Sequence, residues 1–120
     1  MTILADMALV LVALLHVAFL VLEMFLWSKP IGRRIFRLPP DVMAASAPLA
    51  ANQGLYNGFL AAGVLWGLIL GTPGFDIKVF FLACVIVAGL FGGATTKRSN
   101  LWLQAMPGAI ALVLVLLTGL

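Results

Sequence analysis

The apolar residues of this chain do not alternate with polar ones at a helical or strand period. They come in four nearly unbroken runs, at about residues 3–27, 49–70, 77–96 and 101–120. Each run is close to the roughly 20 residues an α-helix needs to cross a hydrocarbon core of about 30 Å. The first, Ile3 to Trp27, is interrupted only by Asp6, His16 and Glu23, and it ends at Ser28-Lys29-Pro30, where proline stops a helix. A basic loop, 28–48, follows, with Pro39-Pro40-Asp41 as a turn and Val42 to Ala47 as one or two turns of interfacial helix. Gly71-Thr72-Pro73-Gly74 closes the second run as a tight loop, and only a few residues part the third run from the fourth. Short connections make consecutive helices antiparallel neighbours. The pattern predicts an all-α fold: an integral membrane four-helix antiparallel bundle, built as a single four-span domain over residues 1–120.

Composition agrees, since 64% of the 120 residues are hydrophobic and 9% are charged, where a soluble domain carries about 25% charge. The net charge of +3 matters through its placement. Lys29, Arg33, Arg34 and Arg37 follow the first run, Lys97 and Arg98 follow the third, and Lys78 stands alone after the second. The positive-inside rule then puts both basic loops in the cytoplasm and both termini outside. No basic surface interleaved with aromatics remains, so the expected partner is the lipid bilayer and not nucleic acid. The first run is too long for a signal-peptide core and lacks a basic start and a small-residue cleavage site, so it is expected to stay in the mature chain. With one cysteine, Cys84, and one histidine, neither a disulfide nor a metal site is expected. Ser28, Ser46 and Ser99 fall at or outside the interfaces, which gives no support to a serine nucleophile. Trp27 and Trp102 take the places of cytoplasmic interfacial anchors, and Trp66 that of a lipid-facing or packing residue.

Lipid supplies no apolar driving force between helices, so close backbone approach and interhelical hydrogen bonds must hold the spans together. Gly54 and Gly58, then Gly63, Gly67 and Gly71, recur every four residues in the second run, Gly89 and Gly93 do so in the third, and Ala105 and Ala109 in the fourth. Such spacing fits packing within the chain, and it also fits an interface between copies in a homo-oligomer. The polar residues inside the spans are not scattered. Glu23 lies two turns from His16 on the same helix face, and the depth of Glu23 is shared by Asn52, Gln53, Tyr56 and Asn57, by Gln104, and by Thr95 and Thr96. Ionisable groups at such depths face a bundle interior or a water-filled cavity. Two readings are open. Glu23 is held by amides as an interhelical clasp, or the layer is a ligand-binding polar cavity rimmed by Arg33, Arg34 and Arg98 that takes a lipid or a small amphipathic or anionic molecule. A proton site on His16 and Glu23 would make the chain a small proton-coupled transporter.

The strings Leu22-Glu23-Met24-Phe25-Leu26-Trp27 and Ala51-Asn52-Gln53-Gly54-Leu55-Tyr56-Asn57-Gly58-Phe59-Leu60-Ala61, with Pro30 and Gly32-Arg33 between them, resemble a family of small four-span bacterial membrane proteins known only as a domain of unknown function. That resemblance implies multi-pass residence in the bacterial cytoplasmic (inner) membrane and no named activity. More distantly, Asn52, Tyr56, Phe59-Leu60-Ala61, Lys97-Arg98-Ser99, Gln104 and Pro107 resemble the membrane-associated proteins in eicosanoid and glutathione metabolism. This second likeness implies a trimer, glutathione as a cofactor contacted by Asn52 and Arg98, and a glutathione-dependent enzyme in which Arg98 stabilises the thiolate.

Overall fold

A computed structural model describes residues 2–119; Met1 and Leu120, the latter the expected end of the fourth span, lie outside the described residues. Among the described residues every secondary-structure element is helical, in the order α1 (Thr2–Met24), α2 (Pro30–Phe36), α3 (Pro40–Leu70), a 3₁₀ turn (Thr72–Gly74), α4 (Phe75–Thr95), a π-helical segment (Leu101–Ala105) and α5 (Met106–Thr118). Four segments are long and apolar enough to cross a membrane: Ile3–Met24, Pro40–Leu70, Thr72–Thr95 and Leu101–Thr118.

The helix limits depart from the apolar runs in three places, each for a local reason. First, α1 stops at Met24, three residues before Trp27, because the amides of Phe25 and Leu26 both turn back to the Val21 carbonyl and Lys29 N–H closes a turn on Leu26. Second, the basic loop is itself largely helical. Pro30 opens α2 at a position where its missing N–H is harmless, and α3 runs from Pro40 straight through Pro48. Its 31 residues measure about 46 Å, well beyond a core of about 30 Å. Some ten residues therefore overhang the hydrocarbon, and there the carbonyl that Pro48 leaves without a helical donor can bind water. Third, the last span begins as π-helix, with Met106 N–H bonded to the Leu101 carbonyl. Pro107 follows one residue later and has no N–H to give the regular i→i−4 bond.

The chain divides into two compact units, His16–Phe59 and the remainder, residues 1–15 with 60–120. The core of the larger unit is Ala5, Leu9, Val12 and Ala13 of α1, Val64 of α3, Leu82 and Val85 of α4, and Ala111 and Val115 of α5. Its helices pack through glycine. A Cβ on Gly63 would meet the Phe81 ring, one on Gly67 the Lys78 stem, one on Gly89 the backbone of Ala105, and one on Gly93 the side chain of Leu101. Residue numbers rise along α4 as they fall along each partner, so α3 and α5 both run antiparallel to it. In the smaller unit Gly54 approaches Glu23 and Met24, and Gly58 approaches Leu20, which sets α1 and α3 antiparallel as well. The glycines spaced four apart at 54 and 58, 63 and 67, and 89 and 93 are thus taken up in contacts inside the chain, whereas Ala109 of the fourth run is exposed. Gly71 stands apart: it adopts φ 66° with open space around it and serves the turn, not a groove.

Lys78 lies inside α4 and is only 5% exposed, although the run pattern sets it beside the tight loop. Gly67 makes the room for its aliphatic stem, since a Cβ there would stand 2.7 Å from Lys78 Cγ and 3.1 Å from its backbone nitrogen. A buried lysine stem of this kind is packing material as much as charge. Gly67→Ala is expected to lower the thermal midpoint of the purified protein, by an overpacking cost of about 1–3 kcal/mol. An unchanged midpoint in a thermal size-exclusion assay would show that the stem does not occupy that groove.

Candidate functional site

Within the smaller unit, α1 and α3 bring two of the expected polar residues together. Asn57 is 5% exposed, and its Nδ2 donates to Glu23 Oε1 at 2.5 Å. The pairing follows from local sequence. Gly54, Asn57, Gly58 and Ala61 fall on one face of α3 at the i, i+3, i+4, i+7 spacing, and the two glycines let α3 close on Leu20, Glu23 and Met24. Asn57 enters that contact between them. His16, two turns from Glu23 on the same face of α1, is 1% exposed and stands edge-on to Phe19 at 5.7 Å between ring centroids.

The other expected residues of α3 take different positions. Asn52, Gln53 and Tyr56 are exposed. At 100° per residue, Gln53, Tyr56 and Asn52 lie roughly 40°, 100° and 140° round the helix from Asn57, all in the same sense. The polar groups therefore form an arc that leads from the Glu23 contact to the outer surface of α3. Arg33 is exposed on α2, where its Nε donates to the Ser28 carbonyl at 3.1 Å. Gln104, Thr95, Thr96 and Arg98 belong to the larger unit. Gln104 is buried in the π-helical segment, and Arg98 is exposed in the turn before it. Thr95 and Thr96 donate their hydroxyls to the carbonyls of Phe91 and Gly92, both at 2.7 Å, and so engage their own helix. Among the described residues no group of three or more His, Cys, Asp or Glu comes together as a metal site.

Run and depth reasoning missed a clamp that organises the turn after α1. The Trp27 indole packs on Phe36 at 4.5 Å between centroids, and its Nε1 donates to the Met43 carbonyl at 3.2 Å and to Ser46 Oγ at 3.1 Å. Gly32 is buried directly against the carbonyls of Leu26 and Trp27, where any Cβ would overlap them. Trp27 thus ties the end of α1 to α2 and α3, whatever its position in the bilayer. The signal available was the glycine five residues after the tryptophan, directly behind Pro30 and Ile31.

Comparison with known proteins gives a family and no activity. A family model described as a protein of unknown function, DUF1304, matches residues 10–116. The chain is also similar to the uncharacterized protein YpaA of Lactococcus lactis subsp. lactis (strain IL1403), with 28% identity over 115 residues that cover 94% of this chain and 97% of the relative. No solved structure matches significantly.

Proposed function

This chain belongs to the DUF1304 family, and we propose that it is a multi-pass protein of the bacterial cytoplasmic membrane that binds a lipid or small amphipathic molecule at the Glu23–Asn57 contact. One observation carries the reading: the polar arc on α3 that starts at the part-buried Glu23–Asn57 hydrogen bond and continues through exposed Gln53, Tyr56 and Asn52. A clasp alone needs Glu23 and Asn57 and gives no role to three further polar groups on the outside of a spanning helix, where hydrocarbon would leave them unsatisfied. A ligand with a hydrogen-bonding head and an apolar tail fits such an arc. It enters sideways from the leaflet, places its head on the amides and the Tyr56 hydroxyl, and keeps its tail among acyl chains. The positive-inside rule, applied to the two basic loops, supports a cytoplasmic leaflet for this site with both termini outside. Since the glycine grooves are occupied within the chain, self-association would use another surface.

Gln53 and Tyr56 are exposed, so Gln53→Ala/Tyr56→Phe is expected to fold as the parent does while losing two head-group hydrogen bonds. At about 1 kcal/mol each, the affinity should fall roughly thirtyfold, read as loss of the bound amphipath in native mass spectrometry of protein extracted in mild detergent. Equal retention by parent and variant would remove the lipid reading. A thermal shift with millimolar glutathione that disappears in Arg98→Ala would put a glutathione-dependent enzyme in its place.

A further inference from the structure

The basic segment after α1 carries Lys29, Arg33, Arg34 and Arg37 against a single acid, Asp41. It is not a loose tether. With Gly32 seated on the Leu26 and Trp27 carbonyls and Phe36 against the Trp27 ring, α2 has one inward side. Helical spacing then separates what remains: at 100° per residue Ile35 and Ile31 lie about 60° and 100° to one side of Gly32, Arg33 about 100° to the other, and Arg34 nearly opposite Gly32, on the outward side. Ile31 is 46% exposed and Ile35 45%, and Lys29, Arg34 and Arg37 are exposed as well. Arg33 is engaged with the Ser28 carbonyl, which leaves Lys29, Arg34 and Arg37 as the outward charges.

Arg37 adds a second observation. It caps α2 with φ 55°, the left-handed conformation that glycine adopts freely and other residues adopt at a cost. A cation kept where glycine would be relaxed points to use of the charge.

We infer that α2 is an interfacial helix that binds the phosphate groups of anionic phospholipids in the leaflet on its own side. Ile31 and Ile35 sit at the acyl boundary, while Arg34, Arg37 and Lys29 meet the phosphates. Charge complementarity selects this occupant: a cationic flank beside an apolar one fits an anionic bilayer surface. The inference does not depend on a ligand at Glu23 and Asn57.

The test uses the full chain with Trp66→Phe and Trp102→Phe, which leaves Trp27, in contact with α2, as the sole tryptophan. The protein is reconstituted in phosphatidylcholine vesicles containing brominated phosphatidylglycerol or brominated phosphatidylcholine, and quenching of Trp27 gives the relative binding of the two lipids. Phosphatidylglycerol is expected to be favoured by about fivefold or more, from roughly a fivefold gain per cation near the surface. Arg34→Lys should keep the preference, and R34Q/R37G should lower it severalfold. R37G alone relieves the left-handed strain, so it should raise the thermal midpoint while lowering the preference, which separates charge from folding. Equal quenching by the two lipids in the parent, or an undiminished preference in R37G and R34Q/R37G, would overturn the inference.

Discussion

Gly89→Ala is expected to destabilise the protein by about 3 kcal/mol or more and to lower its thermal midpoint by about 10 °C or more. The added Cβ would stand 2.5 Å from the backbone nitrogen of Ala105, 2.8 Å from its Cα and 2.9 Å from its Cβ. None of these atoms can rotate aside, because Ala105 ends the π-helical segment and is itself buried. The two helices would have to separate along the contact, which also loosens Gly108 from Val85, where an added Cβ would be at 2.9 Å. Lipid is as apolar as the side chains released, so no burial term restores what close packing loses. Gly93→Ala is the internal comparison. Its nearest neighbours are Leu101 Cδ2 and Cγ at 2.6 Å, part of a side chain that can change rotamer, and the loss should stay near 1 kcal/mol. Thermal denaturation in detergent, followed by size-exclusion, orders parent, Gly93→Ala and Gly89→Ala. A Gly89→Ala midpoint equal to the parent's would mean that α4 and the last span do not meet at Ala105.

The same contrast shows which features were readable in the residues. Runs of apolar side chains announced four long apolar helices, because the length needed to cross hydrocarbon is set by geometry alone. Helix ends were less legible. α1 ends early for the sake of the Trp27 contacts, which lie 9 to 19 residues further along the chain, and α3 passes through Pro48 because proline tolerates helical φ where water can serve the orphaned carbonyl. For the polar residues of α3 the position along the helix followed from counting, but the face did not. α3 is apolar nearly all round after Asn57, so polarity gives its rotation no direction. Gly54 and Gly58 do, since small residues mark the side of closest approach. That side selects Asn57 as the inward partner of Glu23 and turns Asn52, Gln53 and Tyr56 outward.

Gly32→Ala is expected to open the Trp27 clamp while the spanning helices persist. An alanine Cβ would overlap the Leu26 and Trp27 carbonyl oxygens, which are backbone atoms of the turn itself, so α2 must lift away. The indole then loses the Phe36 ring and its two acceptors, Met43 O and Ser46 Oγ. One hydrogen-bonding group and an aromatic contact are together worth about 2–3 kcal/mol locally. In the Trp66→Phe/Trp102→Phe background, Trp27 emission should shift to the red, and protease should cut between residues 28 and 38 at least about tenfold faster. Far-ultraviolet circular dichroism should change little, because α2 contributes 7 residues while α1, α3 and α4 contribute 23, 31 and 21. Gly71→Ala separates this packing effect from a conformational one: it meets open space and bears only the strain of φ 66°, so it should leave Trp27 untouched. If Gly32→Ala leaves the emission and cleavage of the parent intact, the turn does not orient α2. The isoleucine and arginine flanks would then have no fixed direction to offer a membrane surface.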